Sequence, residues 1–134
     1  MNATGLFLNL PVKDIVVSRA FWESVGFRFQ EEFSNERAAC LILGEGKMYA
    51  MLVAQELFET FTYRPICPGH SAQVLLGVQL ENRELVDNIV ALAIQAGATR
   101  FKEAVDHGWM YYDSFADIDG HQWEWVSIAG KETN

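Results

Sequence analysis

Phe115-Ala116-Asp117-Ile118-Asp119-Gly120-His121-Gln122-Trp123-Glu124 holds the end of one strand, a reversal and the start of the next. Trp109 to Phe115 and His121 to Ile128 have strand length and strand composition, and Asp117-Ile118-Asp119-Gly120 between them carries the Asp and Gly chemistry of a tight turn. Upstream, Val74 to Leu80 reads as a strand and Asn82 as a helix N-cap, with Glu84 and Asp87 placing negative charge in the first helical turn. Leu85, Ile89, Leu92, Ala93 and Ala96 recur at helical spacing and are the expected buried stripe, and Gly97 ends that helix. Thr99 to Glu103 supplies the remaining strand, so the second half reads β-α-β-β-β.

The first half repeats the order. Leu6 to Val12 is an apolar strand, Asp14 offers an N-cap oxygen, and Val17, Ala20, Phe21, Ser24 and Val25 form the expected helical stripe before Gly26. Strands are expected at Phe27 to Phe33, Ala38 to Leu43 and Met48 to Ala54, with a hairpin at Glu45-Gly46. Gln55 to Ser71, with Pro65, Pro68 and Gly69, joins the halves. The expected organisation is one domain over residues 1–134: a module of residues 4–54, the connector 55–71, and a second module of residues 72–129.

Composition bounds the function. The chain has 134 residues, half of them apolar and 21% charged, which suits one globular domain. Ten Lys and Arg stand against eighteen Asp and Glu, a formal charge of −8, and the basic residues are scattered singly. Such a surface is repelled by phosphate backbones and anionic lipid, so neither nucleic acid nor membrane is an expected partner. Cys40 and Cys67 lack metal-ligand spacing and read as two thiols of a reducing compartment. Gly5 to Val12 reads as a strand and not as a signal peptide, and no apolar run is long enough for a membrane helix. A cytoplasmic protein is expected.

The pairing of Leu10-Pro11-Val12-Lys13-Asp14, Ser18, Phe21, Trp22 and Gly26-Phe27 with the stretch from Phe115 to Glu124 resembles the vicinal oxygen chelate superfamily. That group includes lactoylglutathione lyases (glyoxalase I), bleomycin-resistance proteins and extradiol dioxygenases. The resemblance covers nearly the whole chain. It implies an α+β fold of paired β-α-β-β-β modules whose curled mixed sheets enclose a cavity, often completed across a homodimer. It leaves the activity open, since one fold hosts unrelated chemistries.

In metal-dependent members the ligands are His or Glu on the first and last strands of each module. The resemblance places those positions at Phe7, near Met51, near Leu75 and at Glu124. Three of these side chains offer a divalent cation no useful donor, a lone carboxylate holds one weakly, and nearby Asn9, Gln73 and Gln122 are poor substitutes. No cofactor is therefore expected. The alternative is a metal-dependent lyase, isomerase or dioxygenase using Zn, Ni, Mn or Fe, with ligands recruited from Glu124, His107 or His121.

Glu124 lies between Trp123 and Trp125, so strand alternation puts the indoles on one face and the carboxylate on the other. If the tryptophans pack under a helix, the carboxylate faces the hollow of the sheet as a ligand contact or general base; otherwise it is a solvated or salt-bridged side chain. From Glu103 to Gly130 there are Glu103, Asp106, Asp113, Asp117, Asp119 and Glu124 but no Lys or Arg, interleaved with Trp109, Tyr111, Tyr112, Phe115, Trp123 and Trp125. This composition suits an acidic aromatic cleft for a cationic or flat molecule; the competing reading makes Asp117 and Asp119 turn formers and the aromatics core. The expected ligand-binding set is Glu124, Trp109, Tyr111, Tyr112, Asn9 and Gln122, with no assigned catalytic residue.

His70, His107 and His121 form no HxH or HExxH pattern, and a histidine-containing site requires His107 and His121 to approach one another. Gly44-Glu45-Gly46-Lys47 lacks the rest of a phosphate loop, and Asp117 to Gly120 lacks the later ligands of a calcium loop. The reading is a small-molecule-binding protein, metal-free and dimeric.

Overall fold

A computed structural model describes residues 1–44 and 46–129. The chain divides into two compact units, Met1–Pro68 and Gly69–Asn134, the boundary falling inside the expected connector. Each unit is a β-α-β-β-β module with a four-stranded mixed sheet.

In the first unit β1 (Leu6–Val12) leads into α1 (Ile15–Val25), then β2 (Arg28–Phe29), β3 (Ala38–Gly44) and β4 (Met48–Ala54), with strand order β1-β4-β3-β2. Asp14 caps α1, its Oδ1 accepting from Val17 N at 3.1 Å, and Gly26 at φ 109° ends it in the left-handed conformation that glycine tolerates best. The buried stripe of α1 is Ile15, Ser18, Phe21, Trp22 and Val25, rotated from the expected one. Val17 lies exposed, because the helix turns its largest apolar group, Trp22, onto the sheet. Trp22 meets the edges of Phe21 and Phe27 at 5.1 and 5.6 Å.

The expected strand Phe27 to Phe33 shrinks to Arg28–Phe29 followed by a 3₁₀ turn, Glu31–Phe33. The Ser34 hydroxyl donates to Gln30 O at 2.7 Å and accepts from Cys40 N at 3.0 Å, so a side chain takes the place of a ladder partner. Of the expected hairpin Glu45-Gly46, Glu45 lies outside the described residues. The connector opens with a one-turn helix, α2 (Gln55–Phe58).

The second unit runs β5 (Leu76–Gln79), α3 (Arg83–Gln95), β6 (Val105–Asp106), β7 (Met110–Ala116) and β8 (Gln122–Ile128), in the order β5-β8-β7-β6. Asn82 caps α3 by accepting from Leu85 N at 2.9 Å. The buried stripe is Val86, Ile89, Val90 and Ala93, while the expected Leu85 and Leu92 are exposed. The compact valines and alanine let α3 sit close over the aromatic side of the sheet, and the longer leucines flank that contact. Thr99 to Glu103 is not a strand: one bridge, Thr99 to Ala116, remains, and the edge strand is Val105–Asp106. Instead of laddering, the segment reaches β7 through long cationic side chains, Arg100 to Asp113 and Lys102 to Tyr112. β5 is shorter than expected, since Val74 and Leu75 precede its pairing with β8.

Candidate functional site

Strand register decides which side chains share a face. β7 and β8 pair Phe115 with Trp123, Asp113 with Trp125 and Tyr111 with Ser127, so these residues lie on the face that α3 covers. Trp123 and Trp125 stack there at 5.7 Å, and Phe115 lies 5.8 Å from Trp125. The opposite face carries Gln122, Glu124 and Val126 of β8, Tyr112 and Ser114 of β7, and Gly77 and Gln79 of β5. The tryptophans therefore do pack under the helix, and Glu124 points away from it.

Glu124 has Gly77 directly opposite on one side and Ser114 on the other. It is half-buried, and Gln122 Nε2 donates to its Oε2 at a long 3.4 Å. Two residues along β7, Tyr112 accepts a 2.9 Å bond from Lys102 Nζ, which also lies 4.8 Å over its ring. The Tyr112 hydroxyl and the charges of Tyr112, Glu124 and Asp113 hold the Lys102 ammonium above its ordinary range, desolvation opposing them. Lys102 went unnoticed at the sequence level because it lies one residue before the stretch that lacks cations.

The turn that aims Glu124 is built on Asp117. Its Oδ1 accepts from Asp119 N and His121 N at 2.9 and 3.0 Å, and its Oδ2 from the buried Trp123 Nε1 at 2.9 Å. Burial pushes the Asp117 carboxyl above the usual carboxylate range, against the pull of His121, Trp123 and two backbone N–H groups. Gly120 sits at φ 91° with the Gly69 carbonyl where a Cβ would be, so glycine is required there.

Of the expected ligand-binding set, the structure brings Glu124, Gln122 and Tyr112 onto one face. Tyr111 turns the other way, its hydroxyl donating to Asp87 at 2.5 Å on α3 while Arg83 stacks 4.0 Å from its ring centre. Burial, reinforced by Asp87, pushes its pKa up to about 12. Trp109 precedes β7 and is 60% exposed. Asn9 lies in the first unit, opposite Met51. His107 and His121 do not meet, because they stand beyond opposite ends of β7, a strand roughly 20 Å long.

The acidic stretch is also less uncompensated than its composition implies. Arg83 pairs with Asp106 at 2.7 Å, Arg100 pairs with the buried Asp113 at 2.7 Å, and Asp117 is consumed by its turn. These cations come from outside the stretch, brought by the fold. Two clefts flank Tyr111, one of about 620 Å³ against α3 with Arg100 and Asp113, the other of about 460 Å³ with Arg83, Asp106 and Ser127. Neither is lined by Glu124, and Arg100–Asp113 in the first and Arg83–Asp106 in the second are already ion-paired.

The two units share one internal register. Asn9 lies five residues before the N-cap Asp14 and faces Met51; Gly77 lies five before the N-cap Asn82 and faces Glu124. Phe7 and Leu75 each lie two residues earlier, so the four positions assigned to metal ligands are equivalent pairs. They hold an aromatic ring, a thioether, an aliphatic chain and one carboxylate, a donor set that does not fit a divalent cation. Among the described residues no three His, Cys, Asp or Glu side chains are grouped to hold one.

This architecture is the fold of solved structures described as glyoxalase/bleomycin resistance proteins. A glyoxalase/bleomycin resistance protein/dioxygenase family enzyme from Burkholderia phytofirmans has a TM-score of 0.76 and 24% identity, with 91% of this chain and 96% of that one covered. A hypothetical protein from S. aureus has a TM-score of 0.79 and 20% identity, covering 96% of each chain. The bleomycin resistance determinant encoded on transposon Tn5 has 0.66 and 15%, covering 96% of this chain and all of that one. At these identities the likeness is one of fold. No protein-family model matches the chain, and no curated protein does. Among the described residues no helix is long and apolar enough to cross a membrane.

Proposed function

We propose that this protein is a metal-free small-molecule-binding protein, using the sheet face of Glu124, Gln122 and Tyr112 to hold a flat ligand that presents a hydrogen-bond donor to the carboxylate. The observation that carries the reading is Glu124 itself. It is the one oxygen ligand among the four equivalent positions, it is turned away from the helix, and it faces a residue without a side chain. A half-buried carboxylate with one long hydrogen bond gains most from a donor or cation that replaces water. The bleomycin-resistance name among the neighbours supports a binding role on this fold. We take the working form to be a cytosolic homodimer, which suits the exposed apolar groups of the first unit such as Phe7 and Phe33.

The test is calorimetric titration of the full chain with small aromatic amines at low and high salt. Saturable binding that weakens with salt and is lost in Glu124→Gln is expected. Absence of binding by wild type, or equal binding by Glu124→Gln, refutes the reading. Stoichiometric Zn, Ni, Mn or Fe in protein purified without chelator refutes its metal-free part and favours the metal-dependent enzymes.

A further inference from the structure

Gly77, Glu124 and Ser114 form a row across three strands, β5, β8 and β7, on the face away from α3. Each end of the row is unusual. Gly77 lies inside a strand at no positive φ, so its backbone does not demand glycine, and none of the described residues comes within 4 Å of where a Cβ would stand. A strand position that neither conformation nor crowding reserves for glycine is a place where space itself is kept, for a ligand or a close backbone approach. Ser114 is fully buried, yet among the described residues its Oγ has no hydrogen-bond partner. A buried hydroxyl is normally satisfied, so an orphan beside a half-satisfied carboxylate points to a partner that binds from outside.

Two residues along β7 from Ser114, about 7 Å away, stands the Lys102–Tyr112 pair. An ammonium has three donors, and one is spent on the tyrosine hydroxyl. Among the described residues named on this face stand an anion, Glu124, and a cation, Lys102, so it is not the purely acidic cleft that the sequence implies.

We propose that this row is the floor of a recess for a small amphoteric molecule, whose donor or cationic group is held by Glu124 and Ser114 and whose anionic group is held by Lys102 and Tyr112. The proposal rests on the Glu124 face being the binding face and adds the class of ligand. Gly77 acts as the specificity-determining residue by leaving room beside the carboxylate.

The probes are 4-(aminomethyl)benzoate, which carries a cation and an anion on one flat ring, and its halves, benzylamine and benzoate. They are titrated into the full chain by calorimetry, with amide chemical shifts followed by NMR for weak binding. The zwitterion is expected to bind about tenfold more tightly than either half, as one charge-assisted hydrogen bond allows. Lys102→Met reduces it to the level of benzylamine, and Glu124→Gln to that of benzoate. Gly77→Val weakens every probe about tenfold while leaving the thermal midpoint unchanged or higher, because a β-branched side chain suits a strand. Ser114→Ala, which removes an unsatisfied group and keeps the fold, weakens the zwitterion and benzylamine but not benzoate.

Benzylamine binding as tightly as the zwitterion overturns the amphoteric assignment and leaves the Glu124 reading standing. Binding unchanged in both Gly77→Val and Ser114→Ala overturns the recess. Failure of all three probes to bind wild type overturns this proposal and counts against the reading beneath it.

Discussion

Replacing Asp117 with alanine is expected to loosen the turn that aims Glu124. Three donors lose their acceptor: Trp123 Nε1 and the backbone N–H groups of Asp119 and His121. The indole is fully buried and cannot be rehydrated, so it costs about 1–3 kcal/mol; the two turn amides, partly reached by water, cost about 0.5–1 kcal/mol each. Releasing a buried carboxylate returns part of this, leaving a net loss of about 2–4 kcal/mol, or roughly 10 °C in Tm for a chain of this size. Asp117→Asn keeps an acceptor for the turn amides but sets an NH₂ group against the indole N–H, for about 1–2 kcal/mol. The carboxyl's pKa is raised in the folded state, so its contribution to stability is fully present below the unfolded carboxylate range and is lost as pH rises through the folded value. Asp117→Asn removes that slope. Urea unfolding followed by tryptophan fluorescence at several pH values measures all three quantities. An alanine variant within about 0.5 kcal/mol of wild type, or an asparagine variant as damaged as alanine, would refute the account of the turn.

Two further outcomes follow from pairs on the helix side of the same sheet. Tyr111 is expected to ionise near pH 12 in a near-ultraviolet titration; its contribution to stability is present below the ordinary tyrosine range and lost as pH rises through that value. Tyr111→Phe abolishes the late step, and persistence of that step would disprove the assignment. Arg100→Met strands Asp113, whose side chain is 4% exposed, while Arg100 itself is 38% exposed, so the loss is discounted to about 2–3 kcal/mol. The double variant with Asp113→Asn recovers most of it in chemical unfolding, and no recovery means that the pair is not what holds the segment.

The β-α-β-β-β repeat was legible because its signals are local. Asp14 and Asn82 cap their helices through bonds spanning three residues, and the Asp117 turn is closed by its own side chain. The face of Glu124 was legible for the same reason, since alternation with Trp123 and Trp125 needs no knowledge of any partner strand. Part of each helix stripe is legible, Phe21 and Val25 in α1 and Ile89 and Ala93 in α3; in α3, Leu85 and Leu92 outweigh Val86 and Val90 in a hydrophobicity count, whereas closeness to the sheet favours the smaller side chains. Thr99 to Glu103 looked like a strand because its composition says nothing of Arg100 and Lys102 reaching across to β7.

Local chemistry in the sequence determined the order of elements, the caps and the turn before β8. Tertiary structure alone decided the charge of the candidate site and its composition. Arg83, Arg100 and Lys102 neutralise an apparently acidic stretch from up to 23 residues away, Tyr111 leaves the face that Tyr112 joins, and Gly77 and Ser114 come to flank Glu124. The reason is physical: capping and alternation act within a few residues along the chain, whereas charge pairing and strand register act through space and exist only once the sheet has formed.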